Sequence, residues 1–282
     1  MNIEDIKNHV LQSLEEDIRQ GDYSSLACIE DAAVKKVKLV AKQEGVLCGV
    51  DVFSWVFELR DTKKDIRIEK YFKDGDRINK GDVILRIEGN ARNILACERT
   101  ALNYIQLMSG IATCTSQYVK MIDGMHTKLL DTRKTTPGLR TVEKYAVTTG
   151  GAYNHRIGLF DMIMLKDNHI DFAGGITQAV AKTKSFLKEN DLDLKIEVEV
   201  RNFEELDEVL RCGGIDRVML DNFSVDDLSK AVKIIDGRYE TEASGGINKD
   251  TLRQYAMTGV DYISVGALTH HIAALDLSLV SD

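Results

Sequence analysis

Six short β-rich runs, each closed by a polar or glycine cluster, fill the second half of this chain and leave it few folds to choose from. They cover 129–130, 162–165, 194–200, 217–220, 240–243 and 262–265. Helical-looking segments over 141–149, 176–189, 203–211, 225–235 and 248–258 separate most of them. Strand–helix repetition of this kind builds a parallel sheet covered by helices, closed or nearly closed as an α/β barrel. Six repeats are fewer than a complete barrel needs. In such a barrel every strand's C-terminal end faces one mouth, so residues far apart in sequence converge there.

The clusters at those ends carry chemistry. The runs lead into Asp131-Thr132-Arg133-Lys134, Lys166-Asp167-Asn168, Glu199, Asp221-Asn222, Ser244-Gly245-Gly246 and Gly266. From His126 to His169 there are seven Lys and Arg against four Asp and Glu, in a chain whose net charge is −8. A cationic island in an acidic protein suits an anionic small molecule rather than nucleic acid, which needs a broad basic face. Arg133 and Arg156 offer planar forks for carboxylate or phosphate, and Lys134 and Lys166 offer point charges. Ser244-Gly245-Gly246 and Val265-Gly266 match the barrel phosphate site, where backbone N–H groups and a helix N-terminus hold the anion. Glu199 and Asp221 suit Mg²⁺, ribose hydroxyls or a developing cationic sugar. His155, next to Arg156, is as readily structural as functional, and Lys166 has a rival role as the Schiff-base lysine of an aldolase.

The first half reads differently. Ile3, Ile6, Val10, Leu14 and Ile18 fall at helical spacing, and 34–89 looks like strands broken by Asp-Gly and Gly-Asp turns. Its Asp74-Gly75-Asp76 and Lys80-Gly81-Asp82 turns resemble part of a lipoyl-type half-barrel, without an evident modifiable lysine at the tip. Residues 91–121 read as helix, with an interruption expected at Ser109-Gly110. Arg99 on that helix reads, taken alone, as a solvated charge. Five scattered cysteines without C-x-x-C spacing suit reduced thiols in a cytoplasm. The N-terminus lacks a signal-peptide core, and no apolar run could span a bilayer.

With these residues in hand, the chain resembles the nicotinate-nucleotide pyrophosphorylase [carboxylating], or quinolinate phosphoribosyltransferase, family. The resemblance rests on Glu16-Asp17 with Gly21-Asp22, Glu98-Arg99-Thr100-Ala101-Leu102-Asn103, and Ser109-Gly110-Ile111-Ala112-Thr113. It continues through 131–138, Asn154-His155-Arg156, Leu165-Lys166-Asp167-Asn168-His169, Glu197-Val198-Glu199-Val200, Leu220-Asp221-Asn222 and Ser244-Gly245-Gly246-Ile247. Two departures, an extra residue at Gly213-Gly214 and Met164 in a strand, fall on a loop at the opposite end of the barrel and on a packing position.

The resemblance implies an N-terminal α/β sandwich over 1–113, completed by 270–282, joined to an incomplete barrel over 114–269. It implies a homodimer in which Arg99 enters the neighbouring subunit's site, and transfer from 5-phosphoribosyl 1-diphosphate (PRPP) to quinolinate with Mg²⁺. Arg99, Arg133, His155, Arg156 and Lys166 would then clamp quinolinate. Thr132, Lys134, Glu199, Asp221, Ser244, Gly245, Gly246, Ser264, Val265 and Gly266 would bind PRPP. Lys134, Lys166, Glu199 and Asp221 would be catalytic, with Glu199 and Asp221 at the metal directly or through PRPP. A related pyrophosphorylase group associated with molybdenum transport shares the Thr132-Arg133-Lys134-Thr135-Thr136-Pro137-Gly138 motif but lacks the lysine that stands here as Lys166.

Overall fold

The computed structural model describes residues 3–62 and 64–282, which divide into two compact units. The first comprises 1–117, 135–151 and 268–282; the second comprises 118–134 and 152–267.

In the first unit α1 (Ile3–Ile18) buries Ile6, Val10, Leu14 and Ile18, one apolar residue per turn. The short α2 (Tyr23–Cys28) is N-capped by Asp22, whose carboxylate accepts from Ser24 N and Ser25 N. Then come β1 (Val34–Ala41) and β2 (Gly45–Val46). Between the expected strand segments, over a stretch given no element by its pattern, lies the helix α3 (Val50–Arg60). Val52, Phe53, Val56 and Phe57 are buried at the 3.6-residue period, which overrides their β propensity. Asp74 Oδ1 caps the helix, accepting from Gly49 N and Val50 N at 2.9 Å each. The Asp74-Gly75-Asp76 turn is therefore a structural device.

Strands β3 (Arg67–Lys70), β4 (Arg77–Ile78) and β5 (Val83–Asn90) follow. The helix α4 (Ala91–Met121) runs unbroken through Ser109-Gly110, contrary to the expected interruption. Gly110 lies where an added Cβ would meet Ala273 O at 2.4 Å, and Ser109 Oγ bonds the backbone of Cys48. Both residues answer close packing, not a helix end.

In the second unit the strands are β6 (Lys128–Leu130), β7 (Ile163–Leu165), β8 (Ile196–Val200), β9 (Arg217–Asp221), β10 (Glu240–Ser244) and β11 (Tyr262–Ser264). They form one parallel sheet in the order β6-β11-β10-β9-β8-β7. Among the described residues β6 and β7 are not paired, and Tyr153 makes a lone parallel bridge to Leu130. The barrel is thus open at one seam. Val198, Val218, Ala243 and Ile263 are sealed, each larger one contributing about 1.5–3 kcal/mol of burial.

The connections include α5 (Arg140–Thr149), α6 (Asp167–Ala173), α7 (Ile176–Glu189), α8 (Phe203–Cys212), α9 (Val225–Ile235) and α10 (Leu252–Ala256). Asn202 and Ser224 cap α8 and α9 through Glu205 N and Asp227 N. The expected 248–258 helix is shortened to α10. Residues 135–151, which hold α5, group with the first unit: Tyr145 donates to Asp74 Oδ2 at 2.9 Å, and a Cβ on Gly150 would strike Ala112 O. The C-terminal strand β12 (Leu277–Ser281) pairs antiparallel with β1, giving the sheet order β12-β1-β5-β3. No helix among the described residues is long and apolar enough to cross a membrane.

Candidate active site

Strand alternation sets the site. In β8 Glu197 and Glu199 share one face of the strand. Arg217, Met219 and Asp221 do so in β9, and Glu240, Glu242 and Ser244 in β10. Register places Ser244 beside Asp221 and Glu199 beside Met219. The C-terminal ends open into a cavity of about 690 Å³.

Thr132, Arg133, Lys134, His155, Arg156 and Lys166 line one part of this cavity, and Glu199 and Asp221 another. Ser244, Gly245, Gly246, Ser264 and Gly266 complete the wall. Val265 does not line it: its N–H donates to Leu130 O at 2.9 Å and is unavailable to a ligand. Arg99 is exposed on α4 and lines a different cavity, of about 430 Å³, with His9, Glu16, Asp17 and Tyr104.

Lys134 N donates to Thr132 Oγ1 at 3.0 Å, and a Cβ on Gly266 would meet the Lys134 side chain at 3.2 Å. Glycine at 266 therefore lets Lys134 lie close. Gly245 and Gly246 have φ of 102° and 63°, the left-handed region that favours glycine. The helix α10 begins only at Leu252, so the expected helix N-terminus does not follow Gly246 directly, and loop amides make the candidate anion cradle. Asn222, itself at φ 57°, donates Nδ2 to Asp221 Oδ2 at 2.6 Å and its backbone N–H to Ser244 O at 2.9 Å.

Lys166 Nζ donates to Glu199 Oε2, which pairs a cation with a carboxylate at neighbouring strand ends. Lys166 N–H bonds His169 Nδ1 at 3.0 Å, fixing the start of α6. Arg156 is held below its ordinary range by burial and by the charge of Arg133, a pairing of cations that an anion between them would relieve.

Beneath the mouth lies a charged layer that sequence reasoning missed. His155 Nε2 is 3.0 Å from Glu197 and 3.4 Å from Glu242, and Arg217 Nη1 donates to Glu242 at 2.9 Å. All four are buried. Burial opposes charge on His155, but the two carboxylates outweigh it and push the ring up to about 9. The Arg156 N–H directed at Nδ1, at 2.7 Å, favours the neutral ring instead; a proton on Nε2 is common to both forms. Burial and the Glu242 charge push Glu197 up to about 7. The signal available in sequence was charge at alternate positions of strands whose inward faces are ordinarily apolar.

The quinolinate phosphoribosyl transferase N-terminal domain matches residues 22–109 and its C-terminal domain residues 111–280. The chloroplastic nicotinate-nucleotide pyrophosphorylase [carboxylating] of Oryza sativa is 43% identical over 99% of this chain and 78% of its own length. The probable nicotinate-nucleotide pyrophosphorylase [carboxylating] of Bacillus subtilis is 42% identical over 94% of this chain and 89% of its own. The structure of the nicotinate-nucleotide pyrophosphorylase from Francisella tularensis superposes with a TM-score of 0.93 at 43% identity, covering 100% of this chain and 98% of that one. By both domains and by relatives that match nearly the whole of this chain, the chain belongs to the quinolinate phosphoribosyl transferase family.

Proposed function

We propose that this protein transfers the phosphoribosyl group of PRPP to the ring nitrogen of quinolinate, releasing diphosphate and CO₂ and forming nicotinate mononucleotide. The observation that carries this is a single cavity lined by two arginines, two lysines, three carboxylates and two glycine loops. Arg133, Arg156 and Lys166 clamp the two substrate carboxylates with His155 at the base. Each charge-assisted bond is worth roughly 1.5–3 kcal/mol. Ser244 to Gly246 with Ser264 and Gly266 hold the 5-phosphate, and Thr132 and Lys134 serve the diphosphate.

The ring nitrogen attacks the anomeric carbon as the bond to diphosphate breaks, and positive charge on the ribose is met by Glu199 and Asp221. The adjacent carboxylate then departs as CO₂, its electron pair stays on the ring carbon where the neighbouring positive nitrogen stabilises it, and a proton from water fills that position. The protein supplies orientation for this step more than acid–base chemistry.

Glu199 and Asp221 are hard oxygen donors at neighbouring strand ends, a set that fits Mg²⁺ held directly or through PRPP. When bound, the ion neutralises charge on the leaving diphosphate. Arg99 acts in trans within a homodimer, a reading its exposure on α4 supports. The free cysteines, Cys28, Cys48, Cys97, Cys114 and Cys212, suit a reducing cytoplasm.

The direct experiment mixes protein, quinolinate, PRPP and Mg²⁺ and follows nicotinate mononucleotide and CO₂. Product from nicotinate but none from quinolinate would overturn the assignment.

A further inference from the structure

The charged layer under the mouth is not needed to close a barrel. A packed apolar layer stabilises such a core at least as well, because burying charge is costly even when it is paired. Here Glu242, with no solvent exposure, accepts from Arg217 Nη1 at 2.9 Å and faces His155 Nε2 at 3.4 Å. Arg217 is itself fixed, donating to Glu240 at 3.0 and 3.2 Å and lying 4.1 Å from the centroid of the Tyr262 ring. Glu197 takes the other side of Nε2 at 3.0 Å.

On the far side of the imidazole the contacts lead to the mouth. The His155 backbone N–H donates to Asp131 Oδ1 at 2.8 Å, and the ring Nδ1 accepts the Arg156 backbone N–H at 2.7 Å. Arg156 Nη1 then bonds Met162 O at 3.1 Å. A continuous set of contacts thus runs from Arg217 through Glu242 and the imidazole to the peptide from which Arg156 projects. Rotation of the ring would release that peptide, and an arginine can grip a carboxylate bidentately only while its fork is aimed.

We propose that Glu242, braced by Arg217, is a positioning residue: it holds the His155 ring in the orientation that fixes the Arg156 backbone and so aims the guanidinium at a carboxylate of the ligand. The role rests on the reading that Arg156 grips a carboxylate of quinolinate. Glu242 itself touches no reacting atom. Its effect should fall on dicarboxylate binding and leave PRPP binding, which uses other walls of the cavity, nearly untouched.

The test compares the full-length parent with Glu242→Gln and Arg217→Lys, measuring KM for quinolinate and PRPP separately. Binding of phthalate, an unreactive aromatic dicarboxylate, is measured by calorimetry. Glu242→Gln is expected to raise the quinolinate KM and the phthalate Kd by about tenfold, with the PRPP KM changed less than about twofold. Arg217→Lys keeps the charge but loses the fork and should give about a threefold rise in the same two quantities. In an Arg156→Ala background Glu242→Gln should cost no further phthalate affinity, since the residue it acts through is gone.

An unchanged quinolinate KM, a parallel rise in both KM values, or full additivity with Arg156→Ala would overturn the proposal. So would failure of both variants to fold, which assigns the layer to stability alone. If the parent turns over no quinolinate, the activity reading fails on its own, and the phthalate measurements still decide whether Glu242 positions a dicarboxylate clamp.

Discussion

Gly245 and Asn222 meet so closely that a Cβ on the glycine would stand 2.2 Å from Asn222 Oδ1 and 2.9 Å from its backbone nitrogen. Both residues sit at positive φ, 102° and 57°, and Asn222 in turn orients Asp221. The glycine loop and the acidic strand end are therefore one interlocked unit. Gly245→Ala is expected to cost about 1–3 kcal/mol of stability from backbone strain alone. It should also raise the KM for PRPP by more than the KM for quinolinate. Thermal unfolding and the two KM values check this, and a variant indistinguishable from the parent would mean that the loop is slack.

Lys166, just past the end of β7, is bonded to Glu199 on the adjacent strand β8. Lys166→Met removes a cation from the clamp and leaves Glu199 without its partner. Activity with quinolinate should fall by about 10- to 100-fold, the loss of one charge-assisted bond. Borohydride added with a sugar phosphate should trap no covalent adduct on the parent. Retention of parental turnover would remove Lys166 from the clamp.

Arg99 lines no part of the cavity formed by the strand ends. If it acts across a dimer, Arg99→Ala and Lys166→Ala protomers, each strongly impaired alone, should complement. Random exchange of equal amounts gives one intact site in half the dimers, so about a quarter of parental activity should return. Continued inactivity after subunit exchange, shown by mass-tagged protomers, would place Arg99 outside the site.

At the base of the sheet Asp261 accepts from Thr241 N at 2.8 Å, Thr241 Oγ1 at 2.7 Å and His126 Nε2 at 2.8 Å. Burial opposes its charge, but these donors prevail and hold the carboxyl below its ordinary 3.8. A depressed carboxyl contributes stability that is present above the unfolded value and lost as pH falls through the folded one. Asp261→Asn should therefore melt below the parent at neutral pH, with the gap narrowing as pH is lowered past about 4. A gap that stays constant down to acid pH would mean the charge itself contributes nothing.

Much of the fold was legible because its signals are local. Alternation in Glu197-Val198-Glu199-Val200 and the 3.6-residue spacing of α8 and α9 each lie within a few residues. The polar strand ends of a parallel sheet have to share a face, so Arg133, Lys166, Glu199, Asp221 and Ser244 could be grouped before any contact was known. Local signals failed where packing decided the outcome. Ser109-Gly110 reads as a helix break, yet it lets Ala273 approach α4. The run of α3, whose local pattern assigns no element, is helical because its apolar residues are buried and Asp74 caps it.

What the sequence alone determined is the set of strand-end residues and the charge they carry, since these follow from periodicity and side-chain chemistry. The tertiary structure alone decided that Val265 spends its N–H on Leu130, that residues 135–151 belong with the first unit, and that Glu242 lies under His155 with Arg217 behind it. Those are meetings between distant segments, fixed by sheet register and close packing, and no local pattern encodes which distant atom fills a given space.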